Sequence, residues 1–185
     1  MLNEIQKDSR QRMGKSVESL RHDLQRLRTG RASTALVEGI KVSYYGSDMP
    51  ITQVASVAVA DARTLTIAPW EKNLVAAVEK ALLGSDLGVT PTTTGTVIRL
   101  NLPPLTEERR KELAKHVSNE GENAKIAVRN IRRDALHQIK ELLKNKDISE
   151  DDEHRAEDEM QKQTDHFVTE VDGVVKAKED ELMAV

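Results

Sequence analysis

Three stretches of the chain place apolar residues at steps of three, four or seven, which puts them on one face of an α-helix. The first stretch covers residues 2–28, the second runs from Thr106 to about Asn145, and the third follows Ser149 to the C-terminus. Thr106 is the predicted N-cap of the second helix, and Ser149 with Asp152 three residues later predicts a start like a capping box for the third. The first stripe consists of Leu2, Ile5, Met13, Val17, Leu20, Leu24 and Leu27. No single helix of this kind can bury its stripe alone, so the pattern predicts three long helices packed as a bundle.

The middle of the chain follows a different pattern. Residues 40–46, 64–69 and 96–104 combine β-branched and aromatic residues with partial alternation, which predicts strands. Residues 70–85 have a helical pattern that ends at a glycine. Residues 46–48 and 90–95 have the composition of turns. We therefore expect a small α+β module within residues 31–104.

These patterns predict an α+β protein of two domains. The bundle is formed by residues 1–30 together with 105–185, and the module of residues 31–104 is inserted after the first helix. The chain thus passes between the domains twice, next to glycine and proline residues that end helices. Both passages are predicted to form a hinge, which consists of Thr29, Gly30, Arg31, Pro103 and Pro104.

The charge is unevenly distributed along the chain. The net charge is −3, yet residues 1–30 carry +3, residues 105–146 carry +4 and residues 147–185 carry −10. The chain has no cysteine, no signal-peptide pattern at its N-terminus and no apolar run near the roughly 18 residues of a membrane helix. We therefore expect a cytoplasmic protein without a membrane segment. We also expect a monomer.

Few residues suggest catalytic chemistry. The five histidines occur singly, without the spacing of a metal site. The sequence GKS at 14–16 lies inside a predicted helix and has Ser9 where a phosphate-binding loop needs glycine. The carboxylates cluster on an acidic helix face and not beside apolar walls that would shift a pKa. We expect no enzyme activity, no catalytic residues, no metal and no cofactor.

The second helix carries a basic flank instead. Arg129, Arg133, Lys140 and Lys144 share a flank beside the apolar stripe, and Lys125 and Arg132 lie closer to its edge. Two interpretations stay open for this flank: the cations pair with the acidic third helix, or they bind phosphate, for which the planar fork of arginine is suited. For Lys140 and Lys144 pairing is the favoured interpretation. For Arg132 both roles stay open: its side chain packs along the edge of the apolar stripe, or it binds phosphate.

A phosphate-binding flank could continue along the first helix through Arg10, Arg21 and Arg28 to Arg31. The chain has only four aromatic residues, too few for platforms on which single-stranded bases stack. Binding of this kind would therefore follow the backbone and shape of folded RNA. The alternative is a helical co-chaperone or assembly scaffold that binds protein partners.

Three segments together resemble the bacterial ribosome recycling factor family: LRTGRAS (27–33), PLTEERRKELAK (104–115) and GENAKIAVRNIRRDA (121–135). The resemblance covers the whole chain. It implies a long three-helix bundle with a small β/α/β domain inserted after the first helix. It also implies a translation factor that binds the large ribosomal subunit after termination. With elongation factor G and GTP, such a factor promotes splitting of the subunits and release of mRNA and tRNA, and it catalyses no bond change.

The resemblance also assigns RNA contacts. The family's RNA-contacting residues correspond to Arg28, Arg31, Arg129, Arg132 and Arg133, and the helical wheel alone adds Lys125. The bundle would bind ribosomal RNA, and the hinged small domain would face elongation factor G.

Overall fold

The structure, a computed structural model, describes residues 1–184, which form two compact units. The larger unit contains residues 1–24 and 111–184, and the smaller contains residues 25–110. The chain therefore crosses between the units after residues 24 and 110, so that residues 29–31 and 103–105 both lie inside the smaller unit.

Three long helices supply the larger unit, as the apolar periodicity predicts. They are α1 (Leu2–Gln25), α4 (Glu107–Lys144) and α5 (Glu150–Met183). Helix α1 ends three residues before the predicted position at residue 28. Beyond it, Arg28 donates a hydrogen bond to the carbonyl oxygen of Pro103, and Thr29 and Gly30 are buried. These interactions hold the chain in the smaller unit in place of a further helical turn.

The predicted stripes form the core of the bundle. Buried side chains follow one another along each helix at helical spacing, among them Met13 and Val17 of α1, Val128 and Ile139 of α4, and Met160 of α5. Each helix therefore buries one face and leaves the opposite face in solvent.

Helix α5 begins with a reciprocal cap, as predicted at Ser149. The Ser149 hydroxyl accepts a hydrogen bond from the Asp152 amide at 3.1 Å. The Asp152 carboxylate accepts one from the Ser149 amide at 3.2 Å. Two amides that the helix leaves without partners are satisfied in this way. At α4 the Thr106 hydroxyl accepts from the Arg109 amide at 3.1 Å, which confirms the predicted N-cap.

The smaller unit contains two sheets. The strands are β1 (Lys41–Tyr44), β2 (Ser47–Pro50), β3 (Ala55–Asp61), β4 (Thr64–Pro69), β5 (Thr92–Thr94) and β6 (Val97–Asn101). Strands β1 and β2 form one antiparallel pair, and the other four form a sheet in the order β3-β4-β6-β5. The helices are α2 (Ile51–Val54) and α3 (Val75–Leu83). Mixed helix and sheet confirms the predicted fold class.

Two of these strands correct the predicted turns. Residues 46–48 and 90–95 were assigned to turns as a whole, yet β2 starts at Ser47 and β5 covers Thr92–Thr94. Tyr45 and Gly46 have positive φ values of 47° and 84°, so a two-residue turn suffices and Ser47 pairs with Tyr44. Gly95 has a φ of 63° and allows the second reversal, after which Val97 pairs with Thr94.

The smaller unit has a core of its own. Buried residues of the four-stranded sheet, such as Leu65, Ile67 and Ile98, pack in one cluster with Val78 and Leu82 of α3. All of these residues lie between the two chain crossings, so the cluster does not depend on a side chain from the larger unit.

Candidate RNA interface

The exposed side of α4 carries the predicted cations. Arg129, Arg133, Lys140 and Lys144 are all exposed and are called the basic face below. They lie at spacings of four, seven and four along the helix, on the side opposite buried residues such as Val128 and Ile139 and not beside them as predicted. Because α4 is one uninterrupted helix, the four charges are held in a line by the backbone.

The basic face has no acidic partner within the part of the chain that the structure describes. No carboxylate of residues 1–184 lies within 4.0 Å of its nitrogen atoms. The expected pairing of Lys140 and Lys144 with the acidic helix is therefore wrong. The carboxylates of α5 that reach towards other helices meet the edges of the buried stripes, where Asp172 meets Lys125 and Glu170 meets Arg21.

Lys125 differs from the basic face. Its side chain is only 17% exposed, and its ammonium group lies 2.5 Å from Asp172 of α5 and 3.4 Å from Glu122. The hydrogen bond with Asp172 raises the pKa of Lys125, and burial opposes this rise. The sequence placed Lys125 correctly at the edge of the stripe. The structure shows that its charge is compensated there.

Arg132 also points across the bundle but meets a neutral group. Its Nη1 donates a hydrogen bond to Oε1 of Gln161 at 2.8 Å. Gln161 in turn donates from Nε2 to the Asp165 carboxylate at 2.8 Å. The Nε of Arg132 is buried and has no hydrogen-bond partner among the described residues. The guanidinium is thus held through Nη1, its Nε is closed to solvent, and Nη2 remains as the donor group for a ligand.

Arg28 and Arg31 belong to the smaller unit. Arg28 is partly buried and donates to the carbonyl oxygen of Pro103, while Arg31 is exposed. Burial lowers the pKa of Arg28, and the nearby charge of Arg109 adds to this effect. Arg28 therefore joins the two chain segments of the predicted hinge, and Arg31 keeps its charge in solvent.

The flank predicted along α1 is only partly open. Arg21 lies 3.5 Å from the Glu170 carboxylate of α5. Arg10 lines an open groove of ≈ 480 Å³ between α1 and α5, together with Lys7 and Lys162. Arg21 is therefore engaged within the bundle, whereas Arg10 faces solvent.

Two residues near the cations were missed by sequence reasoning. Gln161 lies on the acidic helix, where the charge pattern drew attention to carboxylates; no feature of the sequence indicates that it faces Arg132. Ile126 is 51% exposed and lies on the side of α4 that carries Arg129 and Arg133. Its departure from the apolar stripe could have been noticed on a helical wheel.

The described residues contain no group of three histidine or acidic side chains arranged to hold a metal ion. Among residues 1–184, no helix is both long and apolar enough to cross a membrane. What the arrangement offers is a row of uncompensated cations on a rigid helix. Such a row can bind phosphate groups, and the guanidinium groups can do so with two parallel hydrogen bonds.

Comparison with known proteins identifies relatives over the full length. Residues 20–183 match the family described as "Ribosome recycling factor". The ribosome-recycling factor of Thioalkalivibrio sulfidiphilus is 59% identical over 185 residues, which is 100% of both chains. A solution structure of ribosome recycling factor is 45% identical, has a TM-score of 0.80 and covers 100% of this chain and 98% of that one.

A third relative was studied in a larger assembly. It is the T. thermophilus ribosome recycling factor, described with E. coli elongation factor G bound to the E. coli post-termination complex. It is 46% identical to this chain with a TM-score of 0.68, and the match covers 98% of each chain. Family, full-length relatives and fold agree, and the chain therefore belongs to the ribosome recycling factor family.

Proposed function

We propose that this protein is a translation factor, and not an enzyme, that acts on the post-termination ribosome in the cytoplasm. It binds the large subunit and, with elongation factor G and GTP, promotes splitting of the subunits and release of mRNA and tRNA. The observation that carries the proposal is the basic face of α4, four exposed cations without carboxylate partners among residues 1–184. The partners are those of the T. thermophilus relative, which is described with elongation factor G on a post-termination complex.

The residues of the interface contribute differently. Arg129 and Arg133 bind phosphates of ribosomal RNA, because their guanidinium groups are exposed and uncompensated. Arg132 binds from the edge of the face, and Arg31 binds from the smaller unit. Arg28 supports the backbone at Pro103, and Lys125 serves mainly to join α4 to α5, since its charge already meets two carboxylates.

We also propose that the smaller unit faces elongation factor G and moves on a hinge near residues 29–31 and 103–105, at the chain crossings after residues 24 and 110. Support comes from the separate core of this unit and from the two chain crossings close to these segments. Movement of the elongation factor would then be transmitted through the bundle to the contacts between the subunits. An engineered crosslink across the hinge should block splitting and leave binding to the large subunit intact.

Splitting of purified ribosomes tests the main proposal. Purified ribosomes with elongation factor G and GTP are mixed with the wild-type chain or with Arg129→Ala/Arg133→Ala, and free subunits are measured by sedimentation. We expect the wild type to release subunits and the variant to lose most of this activity. Arg155→Ala, which changes an exposed arginine of α5 paired with Asp152, is the matched control and should behave as wild type.

Two outcomes would contradict the proposal. If the wild-type chain neither binds large subunits nor splits ribosomes, a protein-binding scaffold becomes the better explanation. If Arg129→Ala/Arg133→Ala splits ribosomes as well as wild type, the basic face is not the binding surface. Circular dichroism of each variant ensures that a loss does not reflect unfolding.

A further inference from the structure

We infer that Gln161, supported by Asp165, is a positioning residue that holds Arg132 for phosphate binding without neutralising its charge. The inference rests on the proposed function, because it assigns a role to Arg132 in RNA binding. It concerns a residue of α5, the acidic helix, which otherwise contributes packing and carboxylates to the bundle.

The hydrogen bonds form a directed chain of three side chains. A glutamine amide has one accepting oxygen and one donating nitrogen. Asp165 accepts from Nε2 at 2.8 Å, so the oxygen Oε1 is turned to Arg132, where it accepts from Nη1 at 2.8 Å. Asp165 thus fixes which end of the amide faces the arginine. Gln161 and Asp165 are four residues apart and therefore neighbours on one side of α5.

The neutral amide sets Arg132 apart from the other cations that reach across the bundle. Arg12 meets Asp134 at 3.1 Å, Arg21 meets Glu170 at 3.5 Å, and Lys125 meets Asp172 at 2.5 Å. In each of these pairs a carboxylate compensates the positive charge directly. Arg132 instead ends on an amide oxygen, which accepts a hydrogen bond but carries no net charge.

The contact with Gln161 leaves the charge of Arg132 uncompensated, and it also favours binding by restricting the side chain. A free arginine side chain loses rotamer freedom when it binds, and this loss weakens the affinity. The bond to Gln161 restricts Arg132 before RNA arrives. The protein does not saturate the guanidinium, because among the described residues only Nη1 has a hydrogen-bond partner, and the donors of Nη2 stay available to a phosphate. Arg132 is therefore preorganised and able to donate further.

Gln161→Glu separates this role from simple packing. The new carboxylate keeps an acceptor for Arg132 and adds an ion pair, which offsets the lost donor to Asp165 and the repulsion between the two carboxylates. The bundle should therefore stay about as stable as wild type. Binding to RNA should nevertheless fall, because the carboxylate compensates the charge. If Gln161 contributed only packing, the affinity of its variants for RNA would rise and fall with the stability of the bundle. Gln161→Leu removes the acceptor and should also weaken binding, through loss of orientation.

The experiment measures the affinity of each variant for purified large ribosomal subunits over a range of salt concentrations, together with its Tm. We expect Arg132→Ala and Gln161→Glu each to lower the affinity about tenfold, the loss of one charge-assisted contact. Gln161→Leu should lower it about threefold by the rotamer argument. In the Arg132→Ala background, neither change at 161 should have a further effect. Gln11→Glu adds the same charge to an exposed position of α1 and should bind as wild type.

The outcomes distinguish failure of this inference from failure of the proposed function. If Arg132→Ala weakens binding but both Gln161 variants bind as wild type, the positioning role is overturned and the proposed function stands. If Gln161→Glu weakens binding equally in the Arg132→Ala background, the new charge acts on RNA directly and the inference is overturned. If Arg132→Ala and Arg129→Ala/Arg133→Ala all bind as wild type, the proposed function fails as well.

Discussion

At the scale of single residues, three neighbouring cations of one helix have different surroundings. Arg129 is exposed and has no acidic partner in the described part of the chain, Lys125 is compensated by Asp172, and Arg132 is held by the neutral Gln161. They lie within eight positions of α4, so their differences come from the angle at which each leaves the helix. The angle determines whether a side chain meets solvent or the neighbouring helix.

Removal of one exposed arginine should weaken binding in a salt-dependent manner. Arg129→Ala and Arg133→Ala each remove one phosphate contact, so fewer counterions are released on binding. We expect the slope of log affinity against log salt to fall by about 1 in each variant. Titration of large subunits at several salt concentrations measures the slope, and Arg155→Ala is the control. An unchanged slope would show that these arginines do not contact phosphate.

Substitution of Lys125 should lower the stability of the bundle and leave RNA binding unchanged. Lys125→Met breaks the contacts with Asp172 and Glu122, and we expect the free energy of unfolding to fall by up to about 1 kcal/mol, as for partly exposed ion pairs. The salt slope of large-subunit binding should stay unchanged. Urea unfolding and subunit titration check both statements. Lys176→Met, which breaks a pair of exposed side chains within α5 alone, is the control and should leave the urea midpoint unchanged. A fall in the salt slope for Lys125→Met would restore Lys125 to the RNA contacts.

At the scale of elements, α4 and α5 approach closely where α4 has a glycine in its apolar stripe. Gly121 is buried, and a Cβ added to it would lie 2.4 Å from Cγ2 of Val175. A helix interior normally disfavours glycine by about 1 kcal/mol relative to alanine. Here the close approach of the two helices requires it, and the same approach sets the register in which Lys125 meets Asp172.

Gly121→Ala should therefore destabilise the bundle even though alanine favours helix. Overpacking of a tight contact costs about 1–3 kcal/mol, which exceeds the gain of about 1 kcal/mol in helix propensity. Gly173→Ala on α5 is the matched control, because its added Cβ meets no atom within 4 Å. That variant should be stabilised by up to about 1 kcal/mol. Urea unfolding measures both, and Gly121→Ala/Val175→Ala should recover part of the loss.

One result would contradict the proposed role of Gly121 in helix spacing. If Gly121→Ala unfolds at the same urea concentration as wild type or higher, Val175 yields at little cost and the close contact does not set the helix spacing.

The cap of α5 should respond to acid. The hydrogen bond from the Ser149 amide is the main cause that lowers the pKa of Asp152 below its ordinary 3.8. Because the pKa is lowered on folding, the cap stabilises the protein fully at pH values above the ordinary pKa of 3.8. This stabilisation disappears as the pH falls through the lower pKa of the folded state. NMR titration should find the Asp152 pKa below 3.8 in the wild type. In Ser149→Ala it should rise, since the hydroxyl side of the cap is lost. Alanine keeps the amide at position 149, so equal values in both proteins would show that the hydroxyl does not contribute to the lowered pKa.

At the scale of the whole molecule, the chain forms two units, each with a core of its own. The smaller unit buries its sheet against α3, and the larger unit buries the stripes of three helices. The chain crosses between them twice, after residues 24 and 110. Units with separate cores can change their arrangement without unfolding, which the proposed hinge requires.

A fragment of residues 25–110 should fold alone. Its core needs no side chain from the bundle, so we expect dispersed amide signals in an NMR spectrum and a cooperative thermal transition. The variant Ile98→Ala is the control, because loss of a fully buried isoleucine costs about 2–5 kcal/mol and should unfold so small a unit. A fragment with collapsed, undispersed signals would show that the unit depends on the bundle, and would weaken the hinge proposal.

The elements differ in how well the sequence predicted them. The three long helices repeat their apolar pattern over many turns, which makes the period unmistakable. Strand β3 (Ala55–Asp61) was missed, because it lies at the edge of its sheet, is largely exposed and contains three alanines. Strand β5 was missed because three threonines before a glycine are as typical of a turn as of a short strand.

The sequence by itself determined that the chain has three amphipathic helices around an inserted α+β module, that its charge is separated by segment, and to which family it belongs. Periodicity and local charge are properties of one segment, and a single sequence displays them in full. Only the tertiary structure decided which cations are free. A helical wheel places Arg132 at the edge of its own stripe, but not opposite Gln161, because that depends on the register of α5 against α4. The register in turn follows from packing contacts such as that of Gly121 with Val175, which no single segment contains.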